Sequence, residues 1–347
     1  MDSGAEPALM VSLPRLRAAV ERFSGKTLLV LGDLIADEYI YGKPARISRE
    51  APVLILRYQS RELRLGGAAN ACHNIHALGA RVIPVGVVGT DPAGEEVLAL
   101  FRSLGITAEG VVRTNVRPTP IKTRIMAGGY QSTRQQVIRV DREPQEPLDS
   151  AVEESLASRL ATWGPGADAI LLSDYGYGTV SQHLWAEVQA MGRRNGAIVT
   201  VDSRYDLLRF RGLTAATPNE PELEQLTGAV LGDDPSVEKA GRQLLEQLDC
   251  RYLVVTRGSR GMALLEREGP ATFLPIHGTA EIADVTGAGD TVISTFTLAL
   301  ASGSAPLEAA WLSNVAGGVV VMKRGTAPIA RAELLRALAD DGALAEP

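Results

Sequence analysis

Short apolar runs alternate with stretches whose apolar side chains recur every three or four positions, and together they predict an α/β domain. Pro14 to Phe23 places Leu16, Ala19, Val20 and Phe23 on one helical face. Lys26 to Asp33 follows as a short apolar run ending in Gly-Asp, the pattern of a buried parallel strand that delivers a polar residue at its end. Further strands are predicted at Arg81 to Val88, Ala169 to Leu172, Ala197 to Asp202, Leu213 to Thr217 and Tyr252 to Thr256, with a strand pair at Met262 to Glu266 and Ala271 to Ile276. Helical periodicity falls between them, at Gly66 to Leu78, Gly94 to Leu104, Ser150 to Trp163, Val180 to Arg194, Pro221 to Leu226 and Val237 to Leu248. Two or three helices fill the rest. Such alternation implies a mostly parallel sheet with helices on both faces.

Two segments break the rhythm. Residues 34–65 contain Pro44 and Pro52 and a strand-like Val53 to Tyr58 where a crossover helix is expected. Residues 111–142 are rich in Thr, Val, Ile, Arg and Gln, with a turn at Gly128-Gly129. The two are expected to pair into a small β lid, formed by about 34–62 and 111–142, on a single domain that takes in residues 1–347.

Composition narrows the class. The 347 residues are 45% hydrophobic and 22% charged, enough for a large core and ordinary for a soluble domain. The net charge of −6 argues against a general nucleic-acid binder, though local arginines still suit one anionic substrate. Cys72 and Cys250 are too few for a disulfide scaffold and suit a reducing compartment. His73 and His76 lack a third ligand nearby, so no zinc site is expected. Met1 to Met10 has no basic leader, and Thr291 to Met322 is broken by Gly303, Pro306 and Glu308, as two helices joined by a turn would be. A cytoplasmic chain with no membrane partner is expected.

Chemistry concentrates in Asp284-Val-Thr-Gly-Ala-Gly-Asp290. Gly287, Ala288 and Gly289 permit a tight turn into a helix, whose free N–H groups form an anion hole suited to a transferring phosphoryl group. Asp290 lies in the first turn, where a carboxylate can accept a proton from an attacking hydroxyl. A capped helix after a glycine turn is the plainer reading of a bare Gly-x-Gly-Asp. Leu65-Gly-Gly-Ala-Ala-Asn70 adds two glycines that let a ligand approach the backbone, and an amide for a polyol. Asp33, Asp174, Asp202, Asn219 and Thr256 each follow an apolar run, as residues lining the crevice of a parallel sheet do.

In this order, these strings resemble the ribokinase (PfkB-type) family of sugar kinases over roughly residues 26–335. The resemblance implies a ribokinase-like three-layer α/β/α domain with a mostly parallel sheet and a small β-sheet lid. It implies ATP and Mg²⁺ as cofactors, Asp290 as the catalytic base, and Asp33, Gly66, Gly67 and Asn70 against the sugar. Thr217-Pro-Asn-Glu-Pro-Glu222 is similar to the family's Asn-x-x-Glu motif, with Glu222 organising Mg²⁺ through water and Asn219 near the phosphates. Thr256-Arg-Gly-Ser-Arg-Gly261 resembles a nucleotide-holding turn, implicating Thr256, Gly258 and Gly261, and Asn314 resembles an adenine-pocket position. Carbonyls around Asp284 and Thr286 match a monovalent-cation site, which implies K⁺ stimulation.

Within the family, Tyr41 to Val53, Arg134 to Asp141, Leu172 to Tyr175 and Asp284 to Ile293 resemble kinases of D-glycero-D-manno-heptose 7-phosphate in lipopolysaccharide-core synthesis. The expected substrate is a sugar phosphate, its anomeric hydroxyl the acceptor, held by Asp174 and by Arg124, Arg134, Gln136 and Arg139 with Lys122. The plainer reading of these cations is edge-strand protection. The branch's lysine after Ser-Asp-Tyr-x is Tyr177 here, its Asp-Pro-Lys is Asp202-Ser-Arg204, and the loop 126–133 is longer. A fused nucleotidyltransferase domain is not expected. The alternatives are another ribokinase-family kinase, acting on ribose, a fructose or tagatose phosphate or a nucleoside, and a non-catalytic sugar- or nucleotide-binding regulator. A Rossmann dehydrogenase fits poorly, because no Gly-x-Gly-x-x-Gly follows the first strand. A homodimer through the lid is expected, with Val53, Ile55, Ile121 and Ile125 on the covered face.

Overall fold

The computed structural model describes residues 11–128, 134–278 and 283–341. Its thirteen described strands are β1 (Thr27–Gly32), β2 (Leu34–Ile47), β3 (Leu54–Gly67), β4 (Arg81–Gly89), β5 (Val111–Thr114), β6 (Ile121–Ala127), β7 (Gln135–Arg142), β8 (Ala169–Asp174), β9 (Ile198–Ser203), β10 (Ala215–Ala216), β11 (Tyr252–Thr256), β12 (Met262–Glu266) and β13 (Thr272–Leu274). The described helices are α1 (Leu13–Arg22), α2 (Ala68–Ala77), α3 (Pro92–Leu104), α4 (Ser150–Trp163), α5 (Gln182–Asn195), α6 (Glu220–Thr227), α7 (Asp234–Leu248), α8 (Ala288–Ala301), α9 (Pro306–Val321) and α10 (Arg331–Ala339).

Nine strands form the main sheet in the order β13-β12-β11-β10-β9-β8-β1-β4-β5. Pairing is parallel from β5 to β11, and antiparallel at β12 and β13. β1 lies between β4 and β8, with Leu28 opposite Val82 and Ala169. Its side chains alternate between two cores. Leu28 and Val30 pack with residues of α1, α2, α3, α8, α9 and α10. Leu29 and Leu31 pack with residues of α4, α5, α6 and α7. Complete burial of an aliphatic side chain stabilises by about 1.5–3 kcal/mol, so a strand apolar on both faces is strongly held at the centre. α8 is buried nearly all round, from Asp290 to Ala299. Two of its hydroxyls are satisfied within the helix, Thr295 and Thr297 donating to the carbonyls of Thr291 and Ile293, while Ser294 donates to the Ala71 carbonyl of α2. Among the described residues no helix is long and apolar enough to cross a membrane.

The second sheet is the lid, in the order β3-β2-β6-β7. Its expected extent needs correction at both ends. Val111–Thr114 belongs to the main sheet, where it pairs with Gly86 to Gly89 of β4 and buries Val111 in the core. The chain enters the lid only at Ile121. On the other side the lid runs further than expected, because β3 continues through Gly66 and Gly67, opposite Ile35 and Leu34. Those glycines end a strand and do not begin the helix. Ile121 is buried with the main core, so it does not lie on an open lid face. Part of the proposed turn at Gly128-Gly129 and of the 126–133 loop lies outside the described residues.

Candidate active site

A cavity of about 420 Å³ opens between the C-terminal ends of the main strands and the lid. Asp174 closes β8, Asp202 lies near the end of β9, and Thr217 and Thr256 stand at the ends of β10 and β11. From the lid come Asp37, Lys122, Arg124 and Arg139. The turn at Val285, Thr286, Gly287 and Gly289 and the first turn of α8, with Asp290, complete the floor.

Asp290 is 3% exposed. Its carboxylate accepts from Asn70 Nδ2 at 2.7 Å and from the Tyr175 hydroxyl at 3.1 Å. Burial pushes its pKa up to about 7, against the two hydrogen bonds that favour the ionised form, and the Asp37 charge raises it further. Asp202 beside it is raised well above the ordinary carboxylate range, chiefly by burial and then by Asp290. The floor turn is shaped for this contact. Gly287 has φ +80°, and a Cβ there would stand 2.6 Å from Asn70 Nδ2. The N–H of Ala288 turns back to the Val285 carbonyl, at 3.2 Å. The N–H groups of Gly289 and Asp290 lie in the first turn of α8, where the helix itself offers no acceptor. Sequence reading proposed Gly287, Ala288, Gly289 and Asp290 as one cluster, and the fold brings three of them to the cavity wall.

Asp33 is placed differently from expectation. It is 1% exposed and is not among the cavity-lining residues. Its carboxylate accepts backbone N–H groups of Tyr175 at 2.8 Å, Tyr177 at 3.2 Å and Thr179 at 3.3 Å, so it holds the loop after β8. Burial raises its pKa and the bond from Thr179 opposes this. Asp37 takes the place facing the cavity. It accepts from Arg124 Nη1 at 2.6 Å and from the Thr326 hydroxyl at 2.9 Å. Gly66 is needed beneath it, since a Cβ there would stand 2.7 Å from the Asp37 carboxyl carbon. Asp37 and Thr326 were not singled out from sequence, and Tyr175 entered only as the end of the Leu172 to Tyr175 string. For Asp37 the one signal was an acidic residue directly after the apolar run Leu34-Ile35-Ala36.

The expected phosphate contacts divide. Lys122, Arg139 and Arg204 line the cavity. Arg124 also lines it, its charge paired with Asp37, while Arg139 is paired with Asp141. Arg134 lies over the Tyr41 ring, 4.6 Å from its centroid, and Gln136 is exposed on β7; neither lines the cavity. Asp174 does line it, while accepting from Ser203 Oγ at 2.8 Å and Arg209 Nη2 at 2.9 Å.

At the start of α6, Asn219 and Glu222 form a reciprocal capping box, and both line the cavity with Thr256. Burial raises the Glu222 pKa. Gly258 and Gly261 have positive φ in the turn after β11, outside the cavity lining. Asn314 is buried on α9 and donates to the Pro275 carbonyl at 2.6 Å, also away from the lining. Asp284 lies behind the floor turn. Its carboxylate accepts from the N–H groups of Thr286 and Gly325, each at 2.9 Å, and the hydrogen bond from Thr286 is the chief cause holding its pKa down against partial burial. Among the described residues no three His, Cys, Asp or Glu side chains are grouped as a metal site.

A parallel sheet with a β lid, a buried carboxylate at a helix start and cations across the cavity together define a ribokinase-like sugar kinase. Residues 26–332 match the model of the pfkB family carbohydrate kinases, and the chain belongs to that family. It is 41% identical over 325 residues to bifunctional protein HldE of Mesorhizobium japonicum, covering 93% of this chain and 64% of that one. HldE of Geobacter metallireducens is 41% identical over 308 residues, covering 88% and 62%. The chain thus spans less than two thirds of the length of these relatives. Solved structures agree on the fold. A ribokinase of Arabidopsis thaliana complexed with ribose and ATP superposes with TM-score 0.69 at 20% identity, over 90% of this chain and 98% of that one. Phosphofructokinase-2 from Escherichia coli in complex with potassium gives 0.75 at 18%, over 91% and 98%.

Proposed function

We propose that the chain transfers the γ-phosphoryl group of ATP to a hydroxyl of a sugar that already bears a phosphate, namely the anomeric hydroxyl of D-glycero-β-D-manno-heptose 7-phosphate. One observation carries the reading: a single cavity is lined both by Asp290 with its helix-start turn and by Lys122, Arg139 and Arg204. The motifs shared with the heptose kinase branch, and the relatives named HldE, narrow the sugar.

In this reading Asn70 and Tyr175 fix the Asp290 carboxylate, which takes the proton as the sugar oxygen bonds to phosphorus and ADP leaves. N–H groups at the start of α8 face the charge that develops on the phosphoryl oxygens. Asp37 and Asn70 orient the sugar, and Lys122, Arg139 and Arg204 hold its phosphate. The acidic wall fits a nucleotide-borne Mg²⁺: such an ion takes one or two carboxylates plus substrate phosphates, and Glu222 and Asp202 line the cavity. Bound there, Mg²⁺ offsets charge between the phosphates. The turn around Asp284 and Thr286 is proposed to hold K⁺ through its carbonyls. The lid is proposed to meet a second copy, since Val53, Leu54, Val137, Ile138 and Val140 are exposed on its strands and the loop preceding β3; light scattering after gel filtration tests this.

The test is ATP consumption with Mg²⁺ and K⁺ against heptose 7-phosphate, fructose 6-phosphate, ribose and adenosine. Turnover of heptose 7-phosphate alone is expected. Turnover of another acceptor alone moves the substrate, and ATP binding without any turnover favours a regulator.

A further inference from the structure

The lysine among the cavity cations is held in an unusual way. Lys122 is 7% exposed, and its Nζ donates to the Tyr177 hydroxyl at 2.6 Å. It lies 5.2 Å from the centroid of the Tyr177 ring. The same hydroxyl donates to Glu143 Oε1 at 2.7 Å, so it stands between the ammonium and that carboxylate. Asp141 and Glu143 pair with Nζ at 3.6 and 3.9 Å, within ion-pair distance and beyond hydrogen-bond range, and Asp141 is bonded to Arg139 Nε at 2.9 Å.

Tyr177 is itself anchored from the main domain. Its N–H donates to Asp33 Oδ2, and its carbonyl accepts from Arg117 Nη2 at 2.6 Å. Arg117 is 7% exposed and lies on the segment between β5 and the lid strand β6. The hydroxyl is therefore a fixed post, reached by a lysine from the lid.

We propose that Tyr177 is a positioning residue for substrate selection: its hydroxyl keeps the Lys122 ammonium out of direct hydrogen bonds to the Asp141 and Glu143 carboxylates and presents it in the cavity to the phosphate of a phosphorylated sugar. The proposal rests on the reading of the acceptor as a sugar phosphate. Ion pairs at 3.6 and 3.9 Å hold the ammonium less firmly than direct charge-assisted hydrogen bonds, so its remaining N–H groups stay free to meet a second anion. Removing the hydroxyl lets the flexible lysine fold onto the neighbouring acids.

The test is a double-mutant cycle on the full chain, Tyr177→Phe with Lys122→Met, read by calorimetric binding of heptose 7-phosphate, the unphosphorylated heptose, fructose 6-phosphate and ATP. Tyr177→Phe keeps the ring and loses only the hydroxyl. It is expected to weaken heptose 7-phosphate binding about tenfold, the size of one charged hydrogen bond, with the neutral sugar and ATP unchanged. Lys122→Met is expected to weaken it at least as much, and Tyr177→Phe to add less than about twofold in that background. Wild-type affinity in Tyr177→Phe, multiplying effects, or an equal loss for the neutral sugar each overturn the proposal. If fructose 6-phosphate shows the cycle and heptose 7-phosphate does not bind, the heptose reading falls and the role of Tyr177 stands. If neither sugar phosphate binds, both fall.

Discussion

Asn70 and Asp290 are 220 positions apart in sequence and joined by a 2.7 Å hydrogen bond, with the amide donating to the carboxylate. Asn70 comes from α2, directly after the lid strand β3, and Asp290 from the start of α8. The bond favours the ionised acid, against the burial that raises its pKa. Asn70→Ala should therefore shift the acidic limb of the kcat–pH profile upwards, lowering kcat about tenfold at pH 7 and much less at pH 9. A uniform loss at every pH would mean that Asn70 acts only on the sugar.

The wild-type profile follows from the same group. With Asp290 near 7, the ionised base grows in as pH rises, and kcat should climb through an apparent pKa of about 7 and then level. Asp290→Asn should abolish that limb and lower kcat by roughly 10²–10⁴, with ATP affinity retained. Near-normal turnover in this variant would remove Asp290 as the base.

Stability should move the other way. The Asp290 carboxyl titrates at about 7 in the fold and near 3.8 when exposed. Between these values the folded chain keeps a proton that the unfolded chain has lost, so stability from this group falls as pH rises from about 4 to about 7. Asp290→Asn should be more stable than wild type at pH 8, by on the order of 2–4 kcal/mol, with the gap closing towards pH 4. Urea unfolding at the two pH values checks this. Equal stability at both would place Asp290 in a wetter, ordinary environment.

Much of this was legible beforehand because the signals are local. Apolar runs ending in polar residues marked every strand from β8 to β11, and the string from Asp284 to Asp290 marked the floor turn. Pairing was not local. Val111–Thr114 has the composition of a lid strand, yet it joins β4, because the edge of the main sheet is open there. Asp33 and Asp37 both sit near the start of the lid, and only the folded backbone decides which carboxylate meets three N–H groups and which meets the cavity. Arg124, Arg134 and Arg139 look alike in sequence; the fold sets the first at the cavity against Asp37, lays the second on Tyr41 and sets the third at the cavity against Asp141.

The two acids give a separable pair of variants. Asp33→Asn replaces an acceptor of three N–H groups by a side chain with one carbonyl and an amide that repels donors. It should cost about 1–3 kcal/mol and raise amide exchange across residues 175–179, since an unsatisfied buried donor bears its full desolvation cost. Its effect on turnover should follow from the displaced Tyr175, whose hydroxyl touches Asp290. Asp37→Asn keeps one carbonyl oxygen to accept from Arg124, and its amide can donate to the Thr326 hydroxyl, which in turn can donate to the Tyr39 hydroxyl, so residues 175–179 should stay protected. Its loss should appear as a fall in kcat/KM for the sugar of roughly tenfold or more, the size of a lost charged hydrogen bond, with the KM for ATP unchanged. Hydrogen exchange and steady-state kinetics on both variants separate the roles. If Asp33→Asn lost sugar affinity with residues 175–179 still protected, the sugar contact would return to Asp33. Because Asp33 bonds to Tyr177 and Tyr175 together, the same exchange measurement reports whether the post that holds Lys122 and the clamp on Asp290 loosen as one unit.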